Sequence, residues 1–156
     1  MGIPVAVKLS PFYTAPLHFA RRLVDAGADG LVVFNRYFEP DIDVEALEIV
    51  PRLNLSTPTE LLLRLRWLAI LSARVATSFA ITGGVHSGLD AIKAVMCGAD
   101  AVQLVSLLLQ RGVAACDGLR QAMVGQRHGS LRHLCCAGCP FAEASLSLRR
   151  LKAGTA

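Results

Sequence analysis

The 156-residue sequence lacks the marks of several large protein classes. Aromatic residues make up only 6% of it and no basic stripe is interleaved with them, so nucleic-acid binding is not expected despite a net charge of +4. The five cysteines are an odd number, which argues against a disulfide framework and favours a reducing, cytoplasmic setting. No Ser/His/Asp arrangement of recognisable spacing is present.

Long hydrophobic runs and targeting signals are lacking too. The most apolar stretch, residues 61–71, is interrupted by Arg64 and Arg66 and falls well short of the roughly 18 apolar residues that a membrane span requires. The first residues have no basic region ahead of their apolar stretch, so a signal peptide is not predicted. We therefore expect a soluble, cytoplasmic protein that does not act at a membrane.

What the sequence does contain is an alternation of strand and helix patterns. Apolar runs rich in β-branched residues predict four strands, at residues 5–9, 30–34, 77–82 and 101–105. Helical spacing and capping signals predict helices over about 16–27, 56–71, 89–96, 106–109 and 114–123. The first strand is expected to be buried on both faces. Residues 35–56 are expected to form a long loop, with a short strand or turn of its own.

A weak internal repeat supports this alternation. Residues 26–30 (AGADG) and 97–101 (CGADA) both lie where a helix is followed by a strand. Glycine suits the left-handed position after a helix, alanine lets the helix pack closely, and aspartate ends the helix. The repeat predicts a parallel sheet.

Ligands of parallel α/β proteins bind at the carboxyl ends of the strands, where the sequence places Gly83, Gly84, Val105 and Ser106. Successive glycines let backbone N–H groups approach an anion, and nearby helix starts add a favourable field. The pattern predicts a phosphate site, with a plain tight turn at the glycines as the alternative. His86, which follows them, is expected to face solvent.

This placement also predicts the fold. A (β/α)8 barrel of TIM type needs roughly 200 to 250 residues and binds phosphate after its last two strands. We therefore expect an α/β chain that forms the C-terminal half, the last four β/α units, of such a barrel over residues 1–126. Residues 127–156 are expected to form an irregular cysteine-containing loop and a C-terminal helix.

Three polar residues at strand ends are further candidates. Lys8 is expected to point into the barrel mouth, where an anionic ring such as reduced flavin would be its partner; the alternative is a lysine that reaches water or pairs with a carboxylate. Asn35 can donate to and accept from a planar heterocycle, or can form a turn. Arg36 could pair with an anion or with the acids of residues 39–43, and pairing with the acids is expected.

A cysteine group near the end of the chain is a candidate metal site. Cys136 and Cys139 have C-x-x-C spacing, with Cys135, His128 and His133 nearby. Zinc and iron–sulfur sites usually need four ligands in paired motifs, and only one pair is present. A fortuitous group without metal is favoured over a Cys/His zinc site.

Four motifs taken in order resemble the C-terminal half of the dihydroorotate dehydrogenase family. They are PVAVKLSP (4–11), ADGLVVFNR (28–36), TGGV (82–85) with DAIKA (90–94), and GADAVQLVS (98–106). The resemblance covers residues 4–124. It implies an FMN-containing β/α barrel that moves two electrons between a dihydropyrimidine and the flavin. Its catalytic base, a Cys or Ser, lies in the N-terminal half of the barrel, so no catalytic residue is assigned here.

The resemblance also implies roles for individual residues. Lys8 would contact the flavin ring, Ser56 would lie near the flavin, and Asn35 would hydrogen-bond a dihydropyrimidine-like substrate. The FMN phosphate would be held by Gly83, Gly84, Val105 and Ser106. Arg36 stands where the family's pyrimidine enzymes usually have Thr or Ser, so the chain looks more like the dihydroorotate dehydrogenase-like branch.

Two alternatives to an FMN-dependent oxidoreductase stay open. One is a non-catalytic, phosphate-binding half-barrel subunit or truncated product that needs a partner chain, and the other is a phosphate-binding barrel enzyme without flavin. A half-barrel exposes two strand edges and an apolar inner face. We therefore expect a homodimer or a complementary half-barrel chain.

Overall fold

A computed structural model describes residues 2–36 and 39–125 of the chain. Its elements, in chain order, are β1 (Ala6–Leu9), α1 (Pro16–Asp25), β2 (Gly30–Val33), β3 (Asp41–Asp43), β4 (Glu48–Val50), a 3-10 turn (Pro58–Glu60), α2 (Leu61–Ser72), β5 (Ser78–Thr82), α3 (Gly88–Met96), β6 (Ala101–Gln103), α4 (Ser106–Arg111) and α5 (Ala115–Gly125). The predicted C-terminal helix and the cysteines of residues 135–139 lie outside the described residues.

The four predicted strands form one parallel sheet in the order β1-β2-β5-β6. Each is one or two residues shorter than the sequence pattern indicates. In the register Leu9 lies opposite Val33, and Val33 lies opposite Ile81, so these three side chains share one face of the sheet. All three are at most 1% exposed, which identifies this face as the one that packs against the helices.

The core lies between that sheet face and the helices. Helix α2 buries Leu61, Arg64, Leu68 and Leu71, which follow one another at the three- and four-residue spacing of one helix face. Ala91 and Ala94 of α3 are fully buried, and small side chains allow the helix to pack closely. Burying each leucine contributes roughly 1.5 to 3 kcal/mol, so this face of α2 is a large contributor to the stability of the fold.

The expectation that the first strand is buried on both faces is wrong. Leu9 is 1% exposed, but Ala6 and Lys8 are exposed. Lys8 is paired in register with Val32, on the sheet face turned away from Leu9 and the helices. β1 is also an edge strand of the sheet. Only one of its faces therefore packs against a described element.

The long loop contains more structure than expected. β3 and β4 pair antiparallel as a hairpin, with Ile42 opposite Ile49. Asp43 closes the turn, because its Oδ1 accepts hydrogen bonds from the backbone N–H groups of Ala46, at 3.0 Å, and Glu45, at 2.9 Å. These bonds, the one from Ala46 foremost, lower the pKa of the Asp43 carboxyl.

The internal repeat proves to be the same helix ending used twice. After α1, the N–H of Gly27 donates to Val24 O and that of Ala28 donates to Leu23 O. After α3, Gly98 and Ala99 repeat both bonds, to Val95 O and Ala94 O. Gly27 and Gly98 have φ of 100° and 106°, the left-handed backbone that this ending needs and that glycine adopts without strain.

The aspartate of each repeat does more than end a helix. Asp29 Oδ2 accepts from the Val5 N–H at 2.8 Å, and its own N–H donates to Val5 O at 2.9 Å. In the same way, Asp100 Oδ2 accepts from the Phe79 N–H at 2.9 Å, and the Asp100 N–H donates to Phe79 O at 2.7 Å. Each aspartate therefore brackets one residue with two hydrogen bonds: Val5, directly before β1, and Phe79, in β5. The bracket fixes where the two parallel strands start relative to each other.

Replacing Asp100 with alanine tests this bracket. The Phe79 N–H, in a residue only 2% exposed, would lose its acceptor, which costs about 1 to 3 kcal/mol. We expect the free energy of unfolding, measured with urea, to fall by that amount. Asp25→Ala, at an exposed position of α1, is the control and should leave it unchanged or slightly raised. Equal effects of the two substitutions would contradict the bracket.

Candidate functional site

A cavity of about 300 Å³ opens at the carboxyl ends of the parallel strands. Its volume is at the lower end of the roughly 300 to 1,000 Å³ typical of small-molecule sites. Residues from β1, β5, the end of the long loop and the start of α4 line it together. Those singled out from the sequence are Lys8, Arg36, Ser56, Gly83, Val105 and Ser106.

Lys8 brings a positive charge to this cavity. It lies in β1 on the sheet face opposite the helices, so its side chain is exposed at the cavity rather than packed in the core. Within the described residues it forms no ion pair. The apolar residues Phe34 and Leu109 also line the cavity. The lysine is thus available to an anionic or electron-rich ligand.

Ser56 ties three segments together beneath the cavity. It is 4% exposed. Its N–H and its Oγ both donate to Ser106 Oγ, at 2.9 and 2.8 Å, and its Oγ accepts from the Gly84 N–H at 3.2 Å. His86 Nε2 lies 3.4 Å from the same Oγ, and His86 is half-buried rather than facing solvent as expected. Ser56 thereby joins the loop end, the glycine turn and the start of α4.

Both glycines of the turn have left-handed backbones, with φ of 83° at Gly83 and 80° at Gly84. A Cβ on Gly84 would lie 2.5 Å from Leu61 N, and one on Gly83 would lie 2.9 Å from the Arg64 guanidinium. Only Gly83 lines the cavity. Since the Gly84 N–H already donates to Ser56, Gly84 serves the close packing of the turn on α2, and Gly83 is the glycine that faces a ligand.

Arg64 is a site residue that sequence reasoning missed. It is 6% exposed, and its Nε donates to Thr82 O at 2.7 Å. Its terminal nitrogens donate to Glu60 O at 2.8 Å and Glu60 Oε2 at 3.3 Å. Burial lowers the pKa of the guanidinium, and the charge of Glu60 opposes that shift. The four-residue spacing between Glu60 and Arg64 on a predicted helix was the available signal.

The expectation that Arg36 pairs with the acids of residues 39–43 is wrong. Its Nε lies 3.3 Å from Glu60 Oε2. Asp41 instead pairs with Arg52 at 2.9 Å, because the hairpin brings the two ends of the long loop together. Glu60 is held in place at the start of α2, where its Oε1 accepts from the Thr57 N–H at 2.9 Å.

Asn35 does not line the cavity that contains Lys8. Its backbone N–H donates to Leu9 O at 2.6 Å, and it lines a second cavity of about 340 Å³ together with Pro11 and Phe12. Arg36 and Glu39 line both cavities and so lie between them. The predicted flavin contacts and the predicted substrate contact therefore occupy neighbouring spaces.

The described part of the chain does not bring a set of metal ligands together. No group of three or more His, Cys, Asp or Glu residues there could hold an ion. Cys97 and Cys116 are not in disulfides, and neither lines a cavity described above. None of the described helices is long and apolar enough to cross a bilayer.

The chain matches known proteins in sequence. The family model described as dihydroorotate dehydrogenase matches residues 1–125. Over 113 residues the chain is 34% identical to the catalytic subunit of dihydroorotate dehydrogenase B (NAD(+)) of Methanocaldococcus jannaschii, covering 70% of this chain and 37% of the relative. The corresponding subunit of Cutibacterium acnes is 34% identical over 104 residues, or 65% and 34% of the two chains. The chain spans about a third of the length of these relatives.

Solved structures show the same likeness in the fold. DHODH from Eimeria tenella in complex with ferulenol superimposes with a TM-score of 0.60 and 21% identity, covering 78% of this chain and 34% of that one. The ligand-free form gives a TM-score of 0.58, covering 77% and 34%. The parallel sheet and its helices therefore have the α/β fold of part of a TIM barrel.

Arg64→Met tests the buried guanidinium against Arg66→Met on the same helix. Loss of Arg64 leaves Thr82 O without this donor and removes one of the two arginines that pair with Glu60, so we expect a loss of about 2 to 4 kcal/mol in the free energy of unfolding. Arg66 is exposed, and its substitution should change that value by less than about 0.5 kcal/mol. The free energies of unfolding of the two variants are measured by urea denaturation. Equal midpoints would contradict the stabilising role assigned to Arg64.

Proposed function

Because the chain belongs to the dihydroorotate dehydrogenase family, we propose that it contributes to an FMN-dependent oxidoreductase that moves two electrons between a dihydropyrimidine-like substrate and the flavin. In this proposal its strands are the last four of the barrel. The observation that carries it is that one cavity gathers the lysine of β1, the glycine after β5 and the start of α4.

The phosphate end of FMN is assigned to Gly83, Val105 and Ser106. Gly83 lines the cavity, and Ser106 carries a hydroxyl that lines it as well. Arg64 fills the space that a Cβ on Gly83 would take, so Gly83 can meet a ligand only through its backbone. Ser56 orients that hydroxyl by donating to it at 2.8 Å. Gly84 contributes by fixing the turn through its own bond to Ser56. These residues suit a phosphate, which accepts hydrogen bonds from hydroxyl and backbone N–H groups.

The ring end is assigned to Lys8. Lys8 has no ion-pair partner among the described residues and lies beside apolar Phe34 and Leu109, which suits a flat, electron-rich ring. FMN when bound supplies the electron transfer. Lys8 would favour negative charge on the ring, because a charge in a partly desolvated cavity acts more strongly than in water. Asn35, in the neighbouring cavity, would hydrogen-bond the substrate through its side-chain amide.

We assign no catalytic base to the described residues. No cysteine lines either cavity there, and the cavity serines Ser56 and Ser106 are bonded to each other. In the described sheet, β1 and β6 are edge strands, and the face that carries Lys8 is not covered by a helix. We propose that a second chain, another copy or a complementary half-barrel, covers this face and supplies the base.

Flavin binding tests the proposal directly. The purified chain is expected to bind FMN, seen as quenching of flavin fluorescence on titration. Lys8→Ala should weaken binding about tenfold, because it removes one charge-assisted contact. Lys93→Ala, an exposed lysine of α3 outside the cavity, should bind like the unaltered chain. A colourless protein that FMN cannot saturate would overturn the proposal. If Lys8→Ala and Lys93→Ala bind FMN equally well, the proposed contact between Lys8 and the flavin ring is wrong.

The proposed second chain has its own test. Multi-angle light scattering of the purified protein is expected to give a dimer or a larger assembly, because open sheet edges and an uncovered face favour association. If the protein is a stable monomer over a wide concentration range, the proposed covering by another copy is wrong.

A further inference from the structure

The Ser106 hydroxyl at the cavity of Lys8 has its hydrogen left to offer to a ligand. A hydroxyl group donates one hydrogen and accepts through two lone pairs. Ser106 Oγ accepts from the Ser56 N–H at 2.9 Å and from the Ser56 hydroxyl at 2.8 Å. Both lone pairs are thus used, and no described residue accepts the hydrogen. Because Ser106 lines the cavity, this hydrogen is available to a ligand there.

The same count at Ser56 determines the role of His86. The Ser56 hydroxyl donates its one hydrogen to Ser106, and one of its lone pairs accepts from the Gly84 N–H at 3.2 Å. His86 Nε2 lies 3.4 Å from Ser56 Oγ, which has only a lone pair left for it. A hydrogen bond between these two atoms therefore requires that Nε2 carries a hydrogen.

A hydrogen on Nδ1 alone would reverse this chain of bonds. The bare Nε2 of His86 would then accept from the Ser56 hydroxyl, which would turn away from Ser106. The hydrogen of Ser106 would in turn point back to Ser56 Oγ. The cavity would face an oxygen lone pair, which repels an anion, in place of a hydrogen, which attracts one.

His86 itself is fixed behind the cavity. It is half-buried and is not among the residues that line the cavity of Lys8. Its backbone N–H donates to Oδ2 of Asp90, a residue only 9% exposed in the first turn of α3. Among the described residues Nδ1 has no hydrogen-bond partner, so the contact with Ser56 is the one that favours a tautomer.

We propose that His86 is a positioning residue for phosphate binding. A hydrogen on its Nε2 keeps the Ser56 hydroxyl turned toward Ser106, so that Ser106 donates into the cavity. This inference rests on the proposed function, which assigns the FMN phosphate to the same cavity. It adds a residue that contacts neither the flavin nor the phosphate and acts only through the two serines.

FMN and riboflavin are a matched pair of probes, since they share the flavin ring and only FMN carries the phosphate. Quenching of flavin fluorescence gives both affinities for the full chain, which is expected to prefer FMN. His86→Leu removes the donor, so FMN binding should weaken about tenfold and riboflavin binding should not change. His18→Leu, at an exposed position of α1 outside both cavities, should bind both probes like the unaltered chain.

Two amide variants separate a lost hydrogen bond from a lost ring. The amide nitrogen of glutamine reaches about as far as Nε2 and can donate, so His86→Gln should bind FMN within about threefold of the unaltered chain. The amide of asparagine reaches only about as far as Nδ1. His86→Asn should therefore behave like His86→Leu.

Ser106→Ala removes the hydroxyl through which His86 acts. Alone, it should weaken FMN binding about tenfold. Adding His86→Leu should cause no further loss, because the two residues act through one chain of bonds. Independent effects would instead multiply to about a hundredfold loss.

The hydrogen can also be located directly. Nitrogen-15 NMR of the imidazole rings distinguishes a protonated ring nitrogen from a bare one. It is applied to the full chain loaded with FMN, and the signals that disappear in His86→Gln identify His86. We expect a hydrogen on Nε2 of His86.

The outcomes separate this inference from the function on which it rests. If the unaltered chain does not bind FMN, or binds it no better than riboflavin, the proposed phosphate site is wrong and the role of His86 is rejected with it. If FMN is preferred but Nε2 is bare, or His86→Leu keeps that preference or weakens both probes equally, the proposed function stands and His86 is not a positioning residue. A hundredfold loss in the double variant leads to the same conclusion.

Discussion

The buried guanidinium of Arg64 is the contact on which the arrangement of the site depends. It holds the carbonyl group of Thr82 at the end of β5 and both the backbone and the carboxylate of Glu60 at the start of α2. Its presence below the turn leaves no space for a side chain at Gly83. Through Glu60 it also sets the position of Arg36. One charged group in the interior therefore positions a glycine turn and a surface cation.

A charge in this place is costly unless it is paired and hydrogen-bonded, and each of the three nitrogens of Arg64 has a partner. Its bonds cross from helix to strand end, so the top of β5 and the first turn of α2 move as a unit. Ser56 adds the start of α4 to the same unit through Ser106. The cavity is consequently walled by segments that are bonded to one another, which suits a site that must hold a rigid ligand.

The sequence predicted what short-range patterns determine. Strand alternation placed Lys8 on the open face of β1, and the repeated glycines and aspartates indicated the two helix endings. It did not predict the pairing of Arg36 with Glu60, which lies 24 residues away, or the bond of Arg64 to Thr82, 18 residues away. On charge alone, the acids of residues 39–43 were equally good partners for Arg36. The hairpin pairs Asp41 with Arg52, and this pairing is not visible in the sequence.

The aspartate brackets have a consequence for how the chain folds. Asp29 returns to Val5 across 24 residues and Asp100 returns to Phe79 across 21, so each bracket closes a loop of nearly the same length around one helix. The entropy lost in closing a loop depends on its length, so the two strand–helix–strand segments meet nearly equal barriers. Each can close without waiting for the other. The sheet can then grow as these preformed segments dock on each other. Most of the contacts that form first are then between residues close in the sequence, which favours fast folding.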